Sequence, residues 1–131
     1  MPTYDSNLFN PPAPVASVTL RDRGNGNITS NVRMLIDTGA DIKLVPETSV
    51  NQLKSDFDSR ENYELKGFDG QRSMAQAVHL DLVFLNRTFR ERFLIIKEEV
   101  GIMGRDVLNQ VVVELDGPHL SWKEPRVTSA R

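Results

Sequence analysis

The chain has 131 residues, with 39% hydrophobic and 26% charged side chains and a formal net charge of −2. That length and balance describe one globular domain with a single modest core, neither a disordered segment nor a polyanion binder. The absence of cysteine excludes disulfides, thiolate metal sites and cysteine nucleophiles, and the two histidines, His79 and His119, lie too far apart to suggest a metal centre.

Residues 1–14 carry Pro2, Pro11, Pro12 and Pro14 and are expected to form an extended or mobile arm. Val15 to Arg21 reads as a strand, Asp22 to Asn27 as a dense turn, and Asn31 to Asp37 as the returning strand of a hairpin. A short strand follows over Ile42 to Val45, and Glu47 to Lys54 has room for two helical turns with Pro46 near the first position. Residues 55–60 are mostly polar and read as loop. Tyr63 to Phe68 and Ser73 to Leu85 make a second hairpin around the strong turn signal Asp69-Gly70. Asn86-Arg87 turns the chain into Thr88 to Lys97, and Arg105 to Gln110 is a short helix candidate. Val111 to Leu115 and His119 to Lys123 form a last hairpin, and residues 124–131 are expected to fray. The sum is an all-β pattern with one or two short helices and no internal repeat.

Several classes of function drop out. Arg87 to Arg92 is locally basic but includes Glu91, and reads as a solvated strand face; no nucleic-acid partner is expected. No run approaches the roughly 18 apolar residues of a transmembrane helix, so no membrane partner is expected. The first residues lack the basic and apolar regions of a signal peptide, which makes a cytoplasmic location the simplest reading. The sequons at Asn27 and Asn86 are accordingly taken as chance matches.

The informative run is Leu35-Ile36-Asp37-Thr38-Gly39-Ala40-Asp41, a hydrophobic strand that delivers one carboxylate into a tight turn. Amide hydrolysis by carboxylates needs two of them sharing a proton, one as base on water and the protonated one as donor to the scissile carbonyl. At about 3 Å apart they cannot both ionise, which separates the titration steps of the pair. Gly39 lets the backbone turn sharply and approach a partner without a Cβ in the way.

This run resembles the active-site signature of retroviral-type aspartic proteases, the retropepsins. A second match is Gly101-Ile102-Met103-Gly104-Arg105-Asp106-Val107-Leu108, similar to the segment that opens the family's C-terminal helix. A weaker third is Gly67-Phe68-Asp69-Gly70, placed where the family has its flap. The resemblance covers roughly residues 15–123, between the arm (1–14) and the tail (124–131), and implies an acid-protease barrel with one half-site per chain. It implies Asp37 as the catalytic carboxylate, Thr38 as an inter-subunit grip and Gly39 as completing the loop. Ala40 and Asp41 would line the cleft, Arg105 would pair with Asp41, and Phe68, Asp69 and Gly70 would form the flap tip. No metal or organic cofactor is implied. The flap tip is bulkier and more charged than in viral enzymes, and the stretch from Asp41 to Gly67 is longer, closer to cellular and bacterial relatives.

Only one such motif is present, so a competent dyad implies a homodimer acting on a polypeptide, with the hairpin from Val111 adding interface. The competing readings are a catalytically weak or inactive dimerisation or peptide-binding module of the same fold, and a structural β-domain in which Asp37-Thr38-Gly39 is an ordinary turn.

Overall fold

The computed structural model describes residues 2–55, 61–66 and 72–125. Its strands are β1 (Thr3–Asp5), β2 (Ala13–Arg21), β3 (Ile28–Ile36), β4 (Leu44–Pro46), β5 (Glu61–Lys66), β6 (Arg72–Phe84), β7 (Arg87–Ile96), β8 (Gly101–Met103), β9 (Glu114–Asp116) and β10 (Ser121–Lys123). Two short helices, α1 (Glu47–Leu53) and α2 (Arg105–Leu108), complete the described structure.

Period-2 alternation makes the core. Ala16, Val18 and Leu20 of β2, Val32, Met34 and Ile36 of β3, and Val78, Leu80, Leu82 and Phe84 of β6 all point inward and are buried. The strand order β5-β6-β7-β4-β8-β3-β2-β1-β10-β9, with a further pairing of β6 to β2, closes β2, β3, β8, β4, β7 and β6 into a barrel. Helix α1 covers the barrel with Val50 and Leu53, both fully buried, and ends where Lys54 takes a left-handed conformation at φ 52°. The all-β expectation therefore holds, and most strands fall within a few residues of their expected bounds.

Three features differ from expectation. The arm is extended as predicted but is docked: β1 pairs with β2 through Thr3↔Val15 and with β10 through Thr3↔Ser121. The last hairpin is shorter, because β9 begins only at Glu114; Val111 and Val113 instead pack against the core from irregular chain, and Val112 is exposed. Hairpin β9–β10 thereby extends the chain's own sheet through β1. Trp122 is core: its ring tilts against Phe84 at 6.0 Å, and its Nε1 donates to the Val15 carbonyl at 3.0 Å.

The third difference is β8, which the sequence reading left without a strand. It lies between β3, to which it is parallel (Met34↔Gly101, Leu35↔Ile102, Ile36↔Met103), and β4, to which it is antiparallel (Leu44↔Ile102). The crossing is tight. A Cβ on Gly101 would collide with the Leu44 carbonyl, and one on Gly104 would sit 2.5 Å from the Ile42 oxygen and 2.8 Å from the Ala40 oxygen. Backbone oxygens cannot step aside as a side-chain end can, so both positions require glycine.

Candidate active site

The ladder between β3 and β8 continues one residue past the strand, where the Asp37 N–H donates to the Met103 carbonyl at 3.1 Å. Asp37 is thus carried by the barrel wall rather than by a free loop. The chain then turns: the Ala40 N–H donates to the Asp37 carbonyl at 3.2 Å, and the Gly39 N–H donates to Asp37 Oδ1 at 3.0 Å. That last bond orients the carboxylate. It is the only bond to the Asp37 side chain among the described residues, so the second oxygen remains available. Asp37 is half-buried, while Thr38 and Gly39 are exposed at the turn, the placement of groups that can meet a partner.

Helix α2 closes the loop from below. The Arg105 N–H donates to the Ala40 carbonyl at 2.9 Å. The expected Arg105–Asp41 pair is not among the ion pairs of the described residues. Instead the exposed Arg105 guanidinium leans toward the Thr38 and Gly39 carbonyls at 3.5 and 3.4 Å, distances at the long limit for a hydrogen bond. Asp41 projects into solvent. The ion pair that joins loop to helix is a different one, between Lys43 and Asp106, and Lys43 also lies 3.3 Å from Glu91 of β7. Lys43 is only 10% exposed and stands 5.9 Å from the centre of the Phe93 ring. Lys43 and Asp106 are 63 residues apart in the chain, and nothing local in the sequence announces the pair.

On the same face of β3 as Asp37, two residues earlier, Leu35 borders a recess of about 560 Å³. Leu44, Val100 and Ile102 line it from the barrel, and Leu8 and Phe9 reach it from the N-terminal arm. Asp5 fixes that arm: its Oδ1 accepts the N–H groups of Asn7 and Leu8 at 2.8 and 2.9 Å, and its Oδ2 meets Arg33 at 3.1 Å. The Leu8 N–H, foremost, holds the Asp5 carboxyl below its ordinary value, outweighing the effect of burial, with help from Asn7 and Arg33. Sequence reasoning missed Leu8 and Phe9 as wall residues because only the docked arm brings them there.

The remaining expected site residues, Phe68, Asp69 and Gly70, lie outside the described residues. The strands on either side of them are present: β5 and β6 pair antiparallel from Glu61↔Ala77 to Lys66↔Arg72. Among the described residues no group of histidines and carboxylates is arranged to hold a metal ion.

Residues 11–116 match the family described as retroviral aspartyl protease. Among solved structures, the chain is similar to EIAV protease in complex with the inhibitor HBY-793, at 25% identity and a TM-score of 0.56, covering 75% of this chain and 86% of that one. No curated protein sequence matches the chain.

Proposed function

The chain belongs to the retroviral aspartyl protease family, and from that premise we propose that it is an aspartic endopeptidase whose dyad forms across a homodimer. The observation that carries this reading is the Asp37 carboxylate, held on one oxygen by the Gly39 N–H and open on the other. One protomer supplies one such group, and the chemistry needs two. A two-fold axis beside the turn would bring Asp37 against its own copy, with Thr38 and Gly39 meeting theirs.

In the assembled site one carboxylate takes a proton from water, and the water oxygen attacks the scissile carbonyl carbon. The protonated partner gives its proton to the carbonyl oxygen, and collapse of the tetrahedral intermediate transfers a proton to the leaving amine. Mutual repulsion keeps one proton on the pair. Ala40 and Asp41 would hold the substrate main chain, bound as an added strand, and Phe68, Asp69 and Gly70 would close over it. The recess bordered by Leu8, Leu35 and Ile102 favours a bulky apolar substrate side chain. The long segment between Asp41 and Gly67 supports kinship with cellular and bacterial members of the family.

The test is to incubate wild type and Asp37→Asn with an unfolded protein from acidic to neutral pH, while measuring oligomeric state by sedimentation. Cleavage by the wild type alone, from a dimer, supports the reading. A stable dimer that cleaves nothing would favour a peptide-binding module, and a strict monomer would remove the dyad.

A further inference from the structure

A second constellation lies at the opposite end of the barrel from Asp37. Strand β2 pairs Val15 with Leu35 near the active loop and Arg21 with Ile28 at its far end. Six residues of strand separate the two, roughly 20 Å at about 3.3 Å per residue. At that far end the register aligns Arg21 of β2 with Asp81 of β6, and Asp81 with Arg90 of β7, so all three side chains share one face.

Asp81 is 1% exposed and bonded twice over. Its Oδ2 accepts from Arg21 Nη2 at 2.7 Å, and Arg23 Nε lies 2.8 and 2.7 Å from its two oxygens. Burial raises its pKa, but the hydrogen bonds from Arg21 and Arg23 outweigh that and hold the carboxyl below the ordinary value. Asp81 thus stays ionised and keeps both guanidinium groups in place. Arg23 engages it through Nε alone, and among the described residues its two terminal nitrogens have no protein acceptor.

Further basic side chains border the same recess. Arg23, Lys54, His79, Arg90 and Arg92 line a recess of about 880 Å³, together with Asp22, Asp81 and Glu91. Lys54 and Arg90 have no ion-pair partner among the described residues. Glu91 is matched by Lys43, and Asp22 spends Oδ1 on the N–H groups of Gly24 and Asn25. The loop is fixed relative to Lys54, because the Asn25 side-chain amide donates to the Leu53 and Lys54 carbonyls and that of Asn27 to Leu53. Among the described residues, Arg23, Lys54, Arg90 and Arg92 thus border the recess with Asp22, Asp81 and Glu91, an excess of basic groups on a chain whose overall charge is −2.

A structural ion pair for Asp81 needs one arginine. The surplus lines one cavity from three separate elements, two of its members carrying planar guanidinium forks and one an ammonium. A single carboxylate would use one fork; a chain of tetrahedral oxyanions would use them all. We propose that this recess binds a multivalent phosphate chain, with Arg23, Lys54 and Arg90 contacting successive phosphoryl groups. The site is independent of the proteolytic reading.

Titration calorimetry of the full chain with sodium tripolyphosphate tests it at fixed ionic strength. Saturable one-to-one binding is expected, weakened roughly tenfold by Arg90→Gln, which breaks no ion pair among the described residues, and unchanged by Lys97→Gln, an exposed cation outside the recess. Equal affinity for a nucleoside triphosphate would make the phosphate chain itself the recognised group, and higher affinity would point to a nucleotide as its source. Absence of saturable binding, equal losses in the Arg90 and Lys97 variants, or equally tight binding of a short polyglutamate would overturn the proposal.

Discussion

The main-chain N–H of Arg105 donates to the carbonyl of Ala40, so helix α2 is fastened to the Asp37 turn by backbone and not by the arginine's charge. The consequence is an inversion of the usual expectation for a glycine followed by an arginine. Gly104→Ala should cost about 1–3 kcal/mol and most of the activity, since its Cβ meets two backbone oxygens. Arg105→Ala should cost under about 1 kcal/mol in the isolated chain, because its side-chain contacts are long and exposed. Urea unfolding of both variants decides the order.

Asp37→Asn should leave the fold and the denaturation midpoint nearly unchanged and lower peptide cleavage by about 10²–10⁴-fold. A subunit-mixing experiment is sharper. With equal wild type and variant and free exchange, only about a quarter of the dimers carry two aspartates. Activity per wild-type chain should therefore fall by roughly half, whereas independent monomeric sites would show no loss.

Asp81→Asn should destabilise the protein by about 2–3 kcal/mol at neutral pH, below the top of the range for a broken buried pair because Arg21 and Arg23 are 40% and 46% exposed. The folded pKa of Asp81 is depressed below 3.8. Its contribution is thus fully present above the unfolded pKa and is lost as pH falls from about 4 through the folded value. Urea midpoints measured from neutral to strongly acidic pH should drop more steeply below pH 4 in the wild type than in Asp81→Asn. Parallel curves would contradict this.

Deleting residues 2–5 removes β1, which bridges β2 and β10. Trp122 is the single tryptophan, and its indole is buried beneath that junction. The deletion should shift its emission to the red and lower the melting temperature. It should also loosen Leu8, which Asp5 positions through its N–H, and so raise KM for substrates with a bulky apolar side chain.

Much of the fold was legible because its signals are local. Alternation in β2, β3 and β6 marks inward faces, and Pro46 before Glu47 marks the start of α1. Strand β8 was missed for a physical reason: three residues between glycines have no period of their own and become a strand only when β3 and β4 lie on either side. The same holds for the arm, whose prolines announce extension but not a docking partner.

The sequence alone singled out the catalytic candidate, since Leu35-Ile36 before Asp37-Thr38-Gly39 is a local pattern. With a single such motif in the chain, it also led to the proposal that one protomer supplies one half of a dyad. The tertiary structure decided what supports the Asp37 turn: Gly104 under the Ala40 carbonyl, Lys43 between Asp106 and Glu91, and Leu8 bordering one recess with Leu35. It also decided that Arg21 and Arg23, far from Arg90 in the chain, gather with it on one face around a buried carboxylate. Strand periodicity can be read along a chain, but which distant charges become neighbours is settled only when barrel closure sets the register between strands.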